Sequence, residues 1–277
     1  MAEAGDFRVR FWGVRGSVAT PGPSYVRYGG NTSCVEMRCG DHLLIFDGGT
    51  GMRPLGQALR AECPIDADIF YSHTHLDHVN GIPFFVPLYD AHNAFRFWSG
   101  HLLPKYDLNE VLNHMMTPPL FPVPFEIFSA RIEFKDFEAG LTLDPRPGVR
   151  IRTIGLNHPN GATGYRVEYA GRSACYVTDI EHTEDGPDDA FLDFLGGADL
   201  LIYDSTYTDA EYPAYAGWGH STWQEGVRLS ERAGVGQFVI FHHDPTHDDD
   251  FMDGIAAEAE AMRPGTVVAR EGMVLTP

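Results

Sequence analysis

The hexapeptide His73-Thr74-His75-Leu76-Asp77-His78 contains three imidazoles and a carboxylate. It follows the apolar and aromatic stretch Asp68-Ile69-Phe70-Tyr71-Ser72, so the pattern predicts a loop at the C-terminal end of a strand. His73 and His75 alternate, as two side chains on one face of an extended segment do. A metal site explains this composition better than a polar turn does, because core packing does not require so many His and Asp residues in so short a segment.

The spacing of these donors bears on the number of ions. Short links between ligands would strain a single tetrahedral centre that took all four side chains. Two adjacent ions could instead divide the three histidines and Asp77 between them. The hexapeptide therefore favours a centre with two divalent ions over a centre with one.

The composition of the chain is that of one globular unit, and we expect a single domain over residues 1–277. Hydrophobic residues make up 43% and charged residues 21%, with 30 glycines and 19 prolines, which is ordinary for a loop-rich α/β or sandwich domain. No apolar run approaches the roughly 18 residues of a membrane span, so no membrane partner is expected. The four cysteines show no CxxC pairing and the N-terminus lacks the features of a signal peptide, which favours a cytoplasmic location.

The formal net charge of −19, from 20 basic and 39 acidic residues, limits the choice of partner. A protein that binds long nucleic acid usually presents a basic face, because phosphate contacts supply most of its affinity. Long nucleic acid is therefore disfavoured as a partner. A small anion is compatible with the charge, since two divalent ions would add about +4 locally and outweigh the distant surface charge.

The first third of the chain alternates predicted strands with loops. Period-two or apolar runs predict strands at 7–12, 33–38 and 43–46, and helical spacing predicts a helix over 52–61. This succession favours α/β layering. Asp47, which follows the third strand, could support the metal loop or begin a turn, and the sequence does not choose between the two.

The stretch from 83 to about 144 predicts an irregular, proline-rich insertion. It contains seven prolines, and its centre over 117–125 cannot form a regular helix or a central strand. A lid over the site or a homodimer contact would explain its apolar content, and an ordinary packed connection would explain it as well.

Four predicted strands of the second half each end at a histidine or an aspartate. A rigid scaffold presents ligands along one edge in this way. The strands and the residues that end or follow them are 149–154 with His158, the hairpin 164–169 and 172–178 with Asp179, 198–204 with Asp204, and 237–241 with His242 and His243.

His220 precedes a further predicted helix. Thr222 and Glu225 fit a capping box, so the helix should start there and run to about Ala233. Backbone N–H groups at that helix start would suit a phosphate oxygen while His220 gives a proton to a leaving group. The alternative is a histidine that only packs at the start of the helix.

The ordered series formed by the hexapeptide, His158, Asp179 and His242 resembles the metallo-β-lactamase superfamily over nearly the whole chain. The resemblance implies a four-layer αββα sandwich, in which two sheets pack face to face with helices outside and the metals lie at one sheet edge. It also implies a ligand set with a hydroxide between two ions. One ion takes His73, His75 and His158, the other takes Asp77, His78 and His242, and Asp179 bridges them.

Two details of this ligand set are open in the sequence. His242 is preferred to the adjacent His243, because the ligand in similar sequences is the first residue after the apolar strand. Zinc is the expected metal, and manganese or iron would also suit a site of mixed histidine and carboxylate donors.

The segment His220-Ser221-Thr222 ahead of a helix, followed by His242-x-x-Pro245, is similar to the phosphodiesterase branch of that superfamily. This branch contains tRNA 3′-processing endonucleases and cyclic-nucleotide or cyclic-phosphate phosphodiesterases. The resemblance implies that His220 is the general acid, and Asp77 would orient or deprotonate the attacking water.

The chain departs from the tRNA enzymes, because it lacks a Gly-rich basic arm and is strongly acidic. These departures favour metal-dependent hydrolysis of a small, cyclic phosphodiester. The alternatives are tRNA 3′ processing, thioester or lactam hydrolysis on the same centre, and a metal- or redox-sensing module that binds a partner without turnover.

Overall fold

The computed structural model describes residues 6–183 and 186–277, which form fourteen strands and seven α-helices. The strands are β1 (Phe7–Gly13), β2 (Cys34–Cys39), β3 (His42–Phe46), β4 (Asp66–Tyr71), β5 (Ala94–Ser99), β6 (Arg131–Asp136), β7 (Thr142–Arg146), β8 (Val149–Leu156), β9 (Ala162–Tyr169), β10 (Arg172–Val177), β11 (Leu200–Asp204), β12 (Gln237–Phe241), β13 (Val267–Val268) and β14 (Val274–Leu275). The helices are α1 (Met52–Leu59), α2 (Leu76–Val79), α3 (Leu108–Met115), α4 (Asp189–Leu195), α5 (Tyr212–Tyr215), α6 (Trp223–Ala233) and α7 (Asp249–Met262).

The strands form two seven-stranded sheets that pack face to face. The first sheet has the order β14-β1-β2-β3-β4-β5-β6 and the second has the order β13-β12-β11-β10-β9-β8-β7. Alternate residues of the strands enter the core between the sheets, as the period of two requires. Phe46 of the first sheet and Tyr165 of the second illustrate this, because their rings meet edge to face with centroids 5.5 Å apart.

Helices cover the outer face of each sheet. Apolar side chains of α1 and α3, such as Leu55 and Leu112, pack with the outer residues of β3, β4 and β5. Helices α4, α6 and α7 cover the second sheet, where Val227 and Ile255 pack against the outer side chains of β10, β11 and β12. This arrangement confirms the four-layer αββα sandwich of an α/β protein.

The local elements largely follow their sequence patterns. Every strand that the sequence predicts is present, with ends within two residues of the expected ones. The hairpin of β9 and β10 turns at Ala170 and Gly171, whose φ angles of 50° and 78° suit the two-residue turn that matches strand twist. Helix α6 begins after Thr222, whose hydroxyl accepts a hydrogen bond from the Glu225 amide, as a cap requires.

Residues 83–144 are more regular than the sequence predicts, and the expectation of an irregular insertion is wrong for much of their length. Strands β5 and β6 extend the first sheet in parallel, and β7 pairs with β8 in the second sheet. The prolines of residues 83–144 lie outside β5 and β6, since Pro83 and Pro87 occupy short 3-10 turns and the proline cluster follows α3. Phe95 and Phe97 are both buried on the helix-covered face of β5, so the period-two pattern of a strand was present despite the prolines.

The hexapeptide also differs from a simple loop. It leaves β4 as an extended segment up to His75 and then forms the single helical turn α2, which contains Asp77 and His78. Among residues 6–183 and 186–277, no helix has the length and apolar character needed to span a membrane.

A buried carboxylate connects the two sheets. Asp68 of β4 is fully buried and accepts hydrogen bonds from Arg96 Nε and Trp98 Nε1 of β5, both at 2.8 Å. Its other oxygen accepts from Arg146 Nε of β7, in the opposite sheet. Because both guanidinium groups are largely buried, this ion pair is held out of water.

Replacing Asp68 by alanine should lower the free energy of unfolding by about 3 kcal/mol, because two largely buried guanidinium groups would keep only the exposed carboxylate of Asp66 as a counter-charge. The matched control is Glu133→Ala, which removes the partner of Lys135 in an exposed pair and should cost less than about 1 kcal/mol. Urea unfolding of both variants measures the difference. Equal losses would show that Asp68 contributes no more than a surface charge.

Candidate metal centre

Six strand ends from both sheets meet at one edge of the sandwich. Neighbouring strands β3 and β4 run parallel, as do β10, β11 and β12, so their carboxyl ends lie on a common side. Each of these ends, and that of β8, carries a histidine or an aspartate. The residues are Asp47 after β3, His73 after β4, His158 after β8, Asp179 after β10, Asp204 at the end of β11 and His242 after β12.

The backbone turns sharply at three of these ends. Asp47, Asp179 and His242 have φ angles of 59°, 58° and 63°, in the left-handed region that residues other than glycine seldom adopt. Each such conformation costs on the order of 1–3 kcal/mol and persists only where the surroundings impose it. Because of this turn, each side chain points toward the shared edge of the sandwich and not out of a face of its sheet.

His73, His75 and His158 form one group of donors, whose ligand atoms all lie within 4.8 Å of one another. His158 Nδ1 lies 2.8 Å from the carbonyl oxygen of Gly219 and therefore carries the proton. The unprotonated Nε2 of the same ring then faces His75 Nδ1 at 3.1 Å. A carbonyl that fixes a histidine in this way is the usual support of a metal ligand.

Asp77, His78 and His242 form a second group with the same close spacing. His242 Nε2 lies 3.3 Å from His78 Nε2 and 3.5 Å from Asp77 Oδ2. Asp179 lies between the two groups. Its Oδ2 is 3.2 Å from His78 Nε2 and 3.3 Å from His242 Nε2, and its Oδ1 is 3.7 Å from Nε2 of both His73 and His158.

The structure separates His242 from its neighbour His243. The ring of His243 faces away from the cluster, with Nε2 2.8 Å from the carbonyl oxygen of Ala269. Gly16 lies directly against the ring of His242, since a Cβ atom at that glycine would come within 2.4 Å of His242 Cε1. Gly219 approaches His158 in the same manner, at 2.5 Å from Nδ1.

The chemistry of this cluster fits divalent cations. Asp47, Asp77, Asp179 and Asp204 are all buried, and buried carboxylates require compensating positive charge. His73 Nε2 is buried with no hydrogen-bond partner. Burial lowers the pKa of His73 well below its usual value, so its imidazole is neutral and can donate a lone pair. The described residues therefore provide carboxylates, neutral imidazoles and an orphaned ligand atom in one place.

Asp47 supports the hexapeptide, which resolves the choice that the sequence left open. One of its oxygens lies 2.8 Å from His78 Nδ1 and accepts hydrogen bonds from Ser72 Oγ and Tyr176 OH at 2.8 and 2.7 Å. Its other oxygen accepts from the Ser72 amide. His78 is thereby oriented from behind, with Nε2 turned toward Asp77 and Asp179.

His220 lies beside the second donor group and is held by Asp204. Its Nδ1 is 2.9 Å from Asp204 Oδ2, and its ring stacks on that of His242 with centroids 5.1 Å apart. Burial would lower the pKa of His220, but the Asp204 carboxylate outweighs this and raises the pKa to about 9. Asp204 is itself held by the Thr206 hydroxyl at 2.7 Å and the Ile180 amide at 3.3 Å.

In the sequence, Asp204 is one of the strand ends expected to present ligands, and no specific role follows for it. The signal that could have assigned one is its place beside Asp179 and His242 on adjacent parallel strands. The start of α6 also differs from expectation, because it is not an open anion site. The Trp223 amide donates to the Tyr207 carbonyl and the Glu225 amide donates to Thr222, so these two N–H groups are already used.

Comparison with known proteins identifies the family. The model of the beta-lactamase superfamily domain matches residues 42–243 of the chain. The chain belongs to the metallo-β-lactamase superfamily. A ribonuclease Z from Gemmatimonas aurantiaca is 25% identical over 289 aligned residues, which cover 87% of this chain and 88% of that protein.

Solved structures of the superfamily share the fold over the full length of the chain. The metallo-β-lactamase fold protein YhfI from Bacillus subtilis superposes with a TM-score of 0.73 at 20% identity and covers 98% of this chain and 100% of its own. A diphosphatase of the PhnP family gives a TM-score of 0.71 at 20% identity, with 97% of both chains covered. The chain is thus a hydrolase of this superfamily, with a His and Asp cluster suited to divalent metal.

The contrast between the two adjacent histidines gives a direct test of metal binding. His242→Ala should lower the divalent metal content of the purified protein, because it removes one donor from the second group. His243→Asn should leave the content unchanged, since His243 faces Ala269. Elemental analysis by mass spectrometry measures both, with circular dichroism as a check of folding. Equal metal loss in both folded variants would contradict this placement of the site.

Proposed function

We propose that this protein is a phosphodiesterase that hydrolyses a small phosphodiester with the help of two divalent metal ions, zinc by preference. The single observation that carries the proposal is the Asp204–His220 pair, held beside the donor cluster. An alkoxide leaving from phosphorus needs a proton, and a buried imidazole at 2.9 Å from a carboxylate is a suitable source of one. A thioester releases a more stable thiolate and has no need of that acid.

The ligands follow the two groups of donors. His73, His75 and His158 would hold one ion, Asp77, His78 and His242 would hold the other, and Asp179 would bind both. When bound, the two ions lower the pKa of a coordinated water toward 7 and offset the negative charge of the phosphodiester.

His220 protonates the leaving oxygen in this proposal. Asp204 accepts a hydrogen bond from Nδ1, which fixes the ring and leaves Nε2 as the nitrogen that gives the proton away. The same carboxylate stabilises the protonated ring before transfer, as the direction of the His220 pKa indicates. Asp204 is therefore a positioning residue, and His220 is the catalytic acid.

Asp77 assists the attacking water. The backbone amide of Ser17 donates to Asp77 Oδ2 at 2.7 Å, and the same oxygen faces His78 and His242. These contacts leave Oδ1 to accept a hydrogen bond from the water and to orient it toward phosphorus. The loop that contains Ser17 thus contributes to the site through its backbone.

A second candidate is tRNA 3′ processing, which is favoured by the similarity to ribonuclease Z over 87% of the chain. A net charge of −19 opposes it, because a long RNA would lose more from repulsion than a small ester would. The charge difference favours the small substrate as the first hypothesis.

A substrate panel tests the proposal on metal-loaded protein. The panel comprises bis(4-nitrophenyl) phosphate, cyclic nucleotides, a precursor tRNA, a thioester and a lactam. We expect turnover of the small diesters and none of the thioester or the lactam. Efficient cleavage of precursor tRNA with poor turnover of small diesters would favour the second candidate, and hydrolysis of only the thioester or lactam would refute both.

The role of His220 predicts a dependence on the leaving group. His220→Ala should reduce kcat by about 10²–10⁴-fold on a diester with a ribose leaving group, because that oxygen must be protonated. The same variant should lose little on a nitrophenyl ester, whose leaving group is stable as an anion. His92→Ala, at an exposed histidine, is the matched control. An equal loss on both esters would indicate that His220 acts in metal binding or folding instead.

A further inference from the structure

Lysine is rare in this chain, which has only Lys105 and Lys135 among 277 residues. Lys135 is paired with Glu133, with Nζ 3.3 Å from Oε2. Within the described ranges, Lys105 has no carboxylate oxygen within 4.0 Å, and its Nζ lies 5.0 Å from the ring centroid of Tyr106. Lys105 is exposed, so its ammonium group is available to an anion that enters from solution.

Lys105 lines a cavity of about 360 Å³ that reaches His73 and His75. We call this space the Lys105 cavity; its wall comes from the segment 101–111, from Thr74 of the hexapeptide and from Asn160 and Gly161. Among the residues that the structure describes, no aspartate or glutamate lines it. Four other cavities of the described chain each contain at least one, for example Glu168, Asp90, Glu36 and Glu181.

The rest of the wall suits an organic group. Leu102, Leu103, Val111 and the ring of Tyr106 supply apolar surface, and the volume is within the range of pockets that hold small ligands. His101 is fixed within the wall, with Nε2 3.2 Å from Thr74 Oγ1 and Nδ1 3.2 Å from Ser99 Oγ. The cavity thus has an apolar wall, the cation of Lys105, and the histidines of one donor group at one end.

We infer that the Lys105 cavity is a specificity subsite for a phosphodiester that carries a second phosphate. The organic part of the substrate would occupy the apolar wall while its additional phosphate pairs with Lys105. This inference rests on the proposed phosphodiesterase function and narrows its substrate class. A nucleotide diester with a terminal phosphomonoester fits this description, whereas a simple cyclic nucleotide has only one phosphate and would leave Lys105 unpaired.

Two chromogenic esters that differ by one group test the inference. They are thymidine 3′-(4-nitrophenyl phosphate) and the same ester with a 5′-phosphate, assayed on metal-loaded protein. The native chain should prefer the 5′-phosphorylated ester by about three- to fivefold in kcat/KM, the size expected of an exposed ion pair. The preference should lie in KM, since Lys105 does not touch the reacting atoms, and should fall with added salt.

Variants of the two lysines provide the matched comparison. Lys105→Ala should abolish the preference between the two esters, and Lys105→Arg should retain it. Lys135→Ala should behave as the native chain, because Lys135 lies on β6 and pairs with Glu133.

The outcomes separate this inference from the proposed function. Hydrolysis of both esters at equal kcat/KM, or a preference that survives Lys105→Ala, would overturn the subsite and leave the phosphodiesterase proposal standing. Failure to hydrolyse either ester or any diester of the panel would overturn both. A preference that Lys105→Ala moves in kcat instead of KM would place Lys105 in the chemical step and contradict a specificity role.

Discussion

The concentration of buried carboxylates at one edge of the sandwich is the constraint on which the site depends. Asp47, Asp77, Asp179 and Asp204 approach the same histidines from both sheets, and none of them can be solvated by bulk water. Hydrogen bonds satisfy Asp47 and Asp204 within the protein. Asp179 accepts one hydrogen bond, from the Thr178 hydroxyl at 2.7 Å, and the imidazole nitrogens of four histidines surround its carboxylate on both sides. Four buried carboxylates so close together call for compensating positive charge at this edge of the sandwich.

Most of the residues that the structure brings together could be recognised in the sequence, because they are concentrated at strand ends. The hexapeptide is recognisable by composition alone, and His158, Asp179 and His242 follow apolar runs whose period identifies them as strands. Parallel neighbours then bring these ends together without further information. The preference for His242 over His243 agrees with the geometry, since the left-handed turn at His242 aims its ring into the cluster and sends the next side chain away.

The features that could not be predicted from the sequence depend on contacts between segments that are distant along the chain. The contact of Asp204 with His220 joins a strand end to a loop sixteen residues later, and no local pattern encodes that pairing. The regularity of 83–144 was hidden by prolines in its turns, although Phe95 and Phe97 alternate as strand residues do. The Lys105 cavity was out of reach for the same reason, because it depends on how the segment 101–111 lies against His75.

The close approach of Gly16 to His242 and of Gly219 to His158 has a consequence for how the protein can change. A single added methyl group at either glycine would displace a ring of the cluster, so these two backbone segments act as a fixed template for the metal centre. The wall formed by 101–111 meets no such restriction on its solvent side, where Leu103 and Tyr106 are exposed. Substitutions along that wall can therefore change the shape of the Lys105 cavity without moving the rings of the donor cluster. The positions of Gly16 and Gly219 thus divide the site into a side with no room for an added side chain and a side, along 101–111, that is open to solvent.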